Sequence, residues 1–147
     1  MQQRRTHSEE RRFPPDARSV REARHFVQGV LSDDEDLAAN AALVVSELAG
    51  NAVVHTTSSF TVRIAVGRAV VRGEVADGDR HLPVVGSIAA RAFAGPGGRG
   101  LVIVDAVSAR WGARPDGHGG KVVWFELDVP RRVPGAGNSG LRNSGMG

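Results

Sequence analysis

Apolar residues recur along this chain with two different periods. Val20, Ala23, Val27, Val30 and Leu31 fall at the three-and-four spacing of a helix face, which predicts a first helix over about residues 19–31. Ser19-Val20-Arg21-Glu22 has capping-box spacing at its start. An acidic turn at residues 32–36 suits the positive end of a second helix, predicted over about residues 37–55. Between Ala41 and Val54 only Ser46, Glu47, Gly50 and Asn51 are not apolar, so this helix is expected to be buried on nearly all sides. Its 14-residue apolar stretch reads as too short and too interrupted for a membrane span.

The period then changes to two. Phe60, Val62, Ile64 and Val66 alternate with Thr61, Arg63 and Ala65, and after a turn at Gly67-Arg68 the residues Val71, Gly73 and Val75 alternate with Arg72 and Glu74. An antiparallel hairpin follows from this pattern. Asp77 shares parity with Val71 and Val75, which turns it toward the buried face as the strand ends. Residues 78–100 read as a long loop with a short helical turn near 88–93, and loops of that length inside a compact domain are usually functional or disordered. A helix is expected over residues 101–109 and a short strand over 109–113. A turn follows at 115–120, then a last strand over 121–129 in which Val123, Phe125 and Leu127 alternate with Val122, Trp124 and Glu126. Helices on one face of a mixed, largely antiparallel sheet make an α+β fold, a two-layer α/β sandwich.

Composition narrows the class. The 147 residues are 41% hydrophobic and 24% charged, which describes one globular domain. There is no cysteine, which excludes disulfides and thiolate metal sites. The start has no apolar signal core, so the expected location is cytoplasmic, with no membrane partner. The pI of about 10.8 invites a nucleic-acid reading, but the charge lies at the ends. Residues 1–12 carry four arginines against two glutamates, and residues 131–147 carry three arginines and no acid. With a total of +3, the body is left at −2. An acidic body is a poor footprint for DNA. Residues 1–12 are therefore expected to be a disordered basic lead-in, 13–130 the folded domain, and 131–147 a disordered tail rich in Gly, Ser, Asn and Arg.

Three segments carry candidate chemistry. Glu47, Asn51 and His55 are spaced four apart, and each step of four advances only about 40° around a helix, so they form one polar ridge. A buried carboxylate needs a partner. Glu47 either pairs with an arginine of the domain or lines a cavity holding water, metal and substrate. The Asn51 carbonyl is a hard oxygen that suits Mg²⁺. Asp77, just before Gly78, either closes an Asx-type turn or accepts from an exocyclic amine. Gly95-Pro96-Gly97-Gly98-Arg99-Gly100-Leu101 is a glycine-rich run leading into a helix. It is either a mobile loop or a phosphate cradle of backbone amides with Arg99 beside it. No strand and βαβ context surrounds it and no Gly-Lys-Ser/Thr follows, so neither a dinucleotide fold nor a Walker loop is expected.

Taken in order, these segments resemble the Bergerat-fold ATPases, the superfamily of gyrase, the heat-shock chaperone ATPase, histidine kinases and the mismatch-repair ATPase. Glu47-Leu48-Ala49-Gly50-Asn51-Ala52-Val53-Val54-His55 is similar to the first motif, Asp77-Gly78-Asp79 stands where the second belongs, and Gly97-Gly98-Arg99-Gly100-Leu101 where the third belongs. Gly119-Gly120-Lys121 through Leu127, with the front end from Phe13 to Arg24, resembles the stand-alone branch of anti-sigma-factor serine/threonine protein kinases. That resemblance implies an ATP-dependent kinase that phosphorylates a small antagonist protein and so controls a sigma factor and transcription. It implies Glu47 as catalytic base, Asn51 as ligand to Mg²⁺, Asp77 as acceptor for the adenine amine, and Gly98, Arg99 and Gly100 as a lid, with Leu101, His55 and Lys121 at the nucleotide. Members of that branch often dimerise, so a homodimer is allowed, and no direct nucleic-acid contact is implied. The alternative is a non-catalytic nucleotide- or partner-binding regulatory module of the same fold. Two departures stand out. The second motif often reads Asp-x-Gly, and a hydroxyl residue often follows Gly-Gly-Lys where this chain has Val122. Loss of that hydroxyl implies ATP binding weaker by about one net hydrogen bond, roughly 1 kcal/mol.

Overall fold

The structure is a computed structural model that describes residues 6–82 and 98–130. In chain order the elements are β1 (His7–Phe13), α1 (Ala17–Val30), α2 (Glu35–His55), β2 (Phe60–Val66), β3 (Val70–Asp77), α3 (Gly98–Val107), β4 (Arg110–Pro115) and β5 (Lys121–Asp128). The strands form one five-stranded sheet in the order β1-β2-β3-β5-β4, and every neighbouring pair is antiparallel. The helices pack on one face: α1 on α2, β1 and β2; α2 also on β2, β3, β5 and α3; and α3 on β4. This is the expected α+β sandwich, with an entirely antiparallel rather than mixed sheet.

The core forms where the two periods meet. Phe60, Val62, Ile64 and Val66 of β2, Val71 and Val75 of β3, and Val123, Phe125 and Leu127 of β5 are buried on the face that receives Leu37, Ala41, Val44, Val45, Leu48 and Ala52 of α2. Gly73 lies directly across from Phe125. A Cβ on Gly73 would occupy the space of the Phe125 ring, so the missing side chain lets that ring lie flat over the strand.

The first departure from expectation is β1. Residues 7–12, expected to be disordered, pair with β2 from His7↔Val66 to Phe13↔Phe60. Six of the seven residues are exposed, because a rim strand touches solvent on both faces; its sequence therefore shows no alternation of apolar and polar residues. Phe13 alone is buried, stacked on Phe60 with ring centroids 5.4 Å apart and edge-on to Phe26 at 6.1 Å, which fixes the strand to the sheet and to α1.

Helix α1 starts two residues earlier than expected. Its N-cap is Asp16, whose Oδ1 accepts from the Ser19 backbone N–H at 3.1 Å. Ser19 is thus a buried third helical residue, and the Ser19–Glu22 capping box does not form. Asp34 caps α2 in the same way through the Leu37 N–H, with Glu35 and Asp36 in the first turn. By length and composition the full 21-residue α2 is apolar enough to cross a membrane. The expectation from its shorter apolar run does not decide the matter; its packing between α1, α3 and the sheet does. The turn expected at 88–93, the loop glycines Gly95 and Gly97, and the tail from residue 131 lie outside the described residues.

Candidate functional site

The inward face of the sheet ends in charge. Asp77 closes β3 and Lys121 opens β5, directly opposite each other and pointing beneath the helices. The Lys121 Nζ lies 3.2 Å from Asp77 Oδ1 and 3.2 Å from Asp79 Oδ2. The Asp79 backbone N–H donates to the same Asp77 Oδ1 at 2.9 Å. Side chains are 4% exposed at Asp77, 8% at Lys121 and 15% at Asp79, so this is a largely buried ion cluster, in which charges persist only because they are paired. Burial alone would raise the Asp79 carboxyl. The His81 backbone N–H and ring and the Lys121 ammonium outweigh it and lower the carboxyl to about 2.

Two glycines allow this geometry. A Cβ on Gly120 would collide with the Asp77 carbonyl oxygen, so only glycine lets the start of β5 come this close to the end of β3. A Cβ on Gly78 would strike the Ser58 hydroxyl. The turn before β5 is held by Asp116, whose Oδ1 accepts from the His118 and Gly120 N–H groups, with Gly117 and Gly119 at φ 85° and 92°.

The ridge on α2 lies on the same side of the sheet, and here the structure corrects the sequence reading. Glu47 and Asn51 are half-buried rather than enclosed, and His55, the last residue of the helix, is exposed. The stripe from Leu43 through Glu47 and Asn51 to Val54 is the face of α2 that neither α1 nor the sheet covers; Leu43 is 42% and Val54 68% exposed. Among the described residues no hydrogen bond or ion pair engages Glu47 or Asn51, and no arginine neutralises the carboxylate. Helix α3, which opens with the third-motif residues Gly98, Arg99 and Gly100, packs against α2, and Leu101 in its first turn is buried. Trp111 of β4 donates its Nε1–H to Asp105 Oδ1 at 2.9 Å, tying α3 to the sheet.

Val122 does not bear on this site. It lies opposite Ala76 and Arg114, and successive strand residues alternate faces, so its side chain leaves the sheet away from Asp77. The expected weakening from a lost hydroxyl at this position therefore has no geometric basis. Asp79 was missed as a member of the site. A second acid two residues after an acidic strand end, with a lysine opening a later strand, was the available signal. A shallow open depression of about 490 Å³ between β1, β2 and β3, lined by His7, Val66, Gly67, Arg72 and Glu126, is at the other end of the hairpin from Asp77 and takes no part.

Among the described residues no group of three His, Cys, Asp or Glu side chains could hold a metal. The donor set therefore does not fit a protein cage for a cation. It fits Mg²⁺ that arrives with phosphate oxygens and water and takes one hard oxygen, the unengaged Asn51 carbonyl, from the protein.

Compared with known proteins, residues 13–127 match the family model described as the histidine kinase-like ATPase domain. No curated protein matches the chain.

Proposed function

Because this chain belongs to the histidine kinase-like ATPase domain family, we propose that it is an ATP-dependent serine/threonine protein kinase that acts as an anti-sigma factor. In this reading it phosphorylates a small antagonist protein, and phosphorylation decides whether a sigma factor is held or released. The observation that carries the catalytic part is that Glu47 and, one turn later, Asn51 stand half-buried on the outward stripe of α2 with no hydrogen bond or ion pair among the described residues. A carboxylate already neutralised by an arginine could not serve as a base, and no arginine among the described residues neutralises this one.

The residues divide the work as follows. Asp77 accepts the adenine amine from the floor of the site. The amides that open α3 bind the phosphates, and Arg99 supplies the positive charge that suits phosphate oxygens. Asn51 holds Mg²⁺, which when bound neutralises charge on the phosphate oxygens. Glu47 orients the attacking Ser or Thr hydroxyl of the antagonist and takes its proton. The new bond joins that hydroxyl oxygen to the γ-phosphorus, the bridging oxygen–γ-phosphorus bond breaks, and ADP leaves. His55, exposed at the helix end, is at most peripheral to the nucleotide. The two macromolecular partners, a cytoplasmic setting and a homodimer belong to this same proposal.

The test is transfer of label from γ-labelled ATP to candidate antagonists. Wild type is expected to label one of them on Ser or Thr. Glu47→Gln is expected to lose transfer by 10²-fold or more while still binding ATP. ATP binding without transfer to any antagonist would leave a regulatory module and sink the kinase reading.

A further inference from the structure

We propose that Lys121 sets the base preference of the nucleotide site by capping one oxygen of Asp77, acting as a positioning residue rather than touching the nucleotide. The inference rests on the reading of Asp77 as the base acceptor and adds what makes that acceptor selective.

The observation is an asymmetry within one carboxylate. Oδ1 of Asp77 receives both the Lys121 ammonium at 3.2 Å and the Asp79 N–H at 2.9 Å. Among the described residues Oδ2 accepts no hydrogen bond. The lysine cannot swing away readily, since its side chain is 8% exposed and is also held by Asp79 Oδ2. Asp77 therefore presents one acceptor, not two.

A carboxylate with both oxygens open is best matched by two parallel donors, as in its pairing with a guanidinium fork. Guanine offers such a pair, the N1–H and the exocyclic N2 amine. Adenine offers one donor, its N6 amine, next to an acceptor nitrogen. With Oδ1 capped, adenine loses nothing. Guanine would bring its second donor against an oxygen already occupied by an ammonium and an amide, and that donor would be buried unpaired. A donor left unpaired in a buried site corresponds to about tenfold to a hundredfold in affinity. On this view the buried lysine turns a carboxylate that would accept either purine into one that prefers adenine.

The experiment is calorimetry of the full chain with Mg·ADP and Mg·GDP, beside thermal melts. Wild type is expected to favour ADP at least tenfold. Lys121→Met is expected to bring the two affinities within about threefold, a change in ratio that a general loss of structure would not produce. An unchanged ratio in a folded Lys121→Met protein overturns the proposal. Failure of wild type to bind either nucleotide overturns instead the site reading beneath it.

Should Lys121→Met not fold, Asp77→Asn tests the same cap while keeping the Lys121–Asp79 pair. Both donors at the Oδ1 position then hold the amide oxygen there and turn its NH₂ toward the base. Preference should pass to inosine diphosphate, whose O6 accepts, over ADP. An Asp77→Asn protein that still prefers ADP has an amide free to flip, and the cap is refuted.

Discussion

Replacing Gly120 by alanine places one methyl group between two strands that the site needs in contact. The added Cβ would overlap the Asp77 carbonyl oxygen and come within 2.7 Å of Asp116 Oδ2. Its obstacle is backbone, which cannot rotate aside, so β5 must separate from β3 at the Asp77↔Lys121 pair. Overpacking of this kind costs about 1–3 kcal/mol. For a domain of this size each kcal/mol lowers the melting midpoint by roughly 3–5 °C. The shift also moves the Asp77 carboxylate from its place at the base, and loss of its charge-assisted bond to the adenine amine should weaken ATP about tenfold. Gly119→Ala supplies the control. Nothing lies within 4 Å of its Cβ, but φ of 92° is unfavourable for an L side chain, so about 1–2 kcal/mol of stability is lost with no change in ATP affinity. Urea melts and calorimetry on both proteins decide the matter. A Gly120→Ala protein that melts and binds ATP like wild type refutes the close approach, and equal effects of the two substitutions on binding refute its link to the site.

Other expectations concern the frame around the site. Phe13→Ala removes the ring stacked on Phe60 and should cost about 3–5 kcal/mol, with amide exchange rising across residues 7–13 before the rest of the sheet. Asp16→Ala takes away the cap of α1 and should cost about 0.5–2 kcal/mol in a denaturant melt, with no change in the nucleotide affinity. Asp79 titrates lower in the folded chain, at about 2, than its ordinary 3.8. A folded value below the unfolded one means that its stabilisation is complete above about pH 4 and disappears as the pH falls toward 2. The stability gap between wild type and Asp79→Asn, measured by urea melts, should therefore be widest near neutrality and close across that acid window.

The hairpin, the two long helices and the last strand were legible because each buries one face against the other layer, and that burial writes a period of two or of about 3.6 into the residue order. β1 was not, since His7 to Arg12 meet solvent on both sides and only Phe13 records a buried contact. Ser19 and Glu22 satisfy the capping-box spacing, yet the helix begins earlier because the Asp16 carboxylate, three residues nearer the start, accepts from the N–H of Ser19 itself. Asp77 was placed facing inward from parity alone. Its pairing with Lys121 was not, because register between strands 44 residues apart depends on how β5 enters the sheet beside β3 rather than β2. The half-burial of Glu47 and Asn51 was hidden for a related reason: Leu43 and Val54 count as apolar in sequence, yet they stand on the uncovered side of α2.

The rim position of β1 has a practical meaning for anyone shortening this protein. The family match begins at residue 13, so a truncation chosen to fit it would discard residues 7–12 and strip β2 of its neighbour. The newly bared backbone amides and carbonyls would flank Val62, Ile64 and Val66, a segment with strong sheet preference and the single charge of Arg63. Such a border invites edge-to-edge stacking between molecules. The charged arm of Glu9, Glu10, Arg11 and Arg12 thus works as a selvedge, a finished margin that keeps the fabric of the sheet from joining the next one.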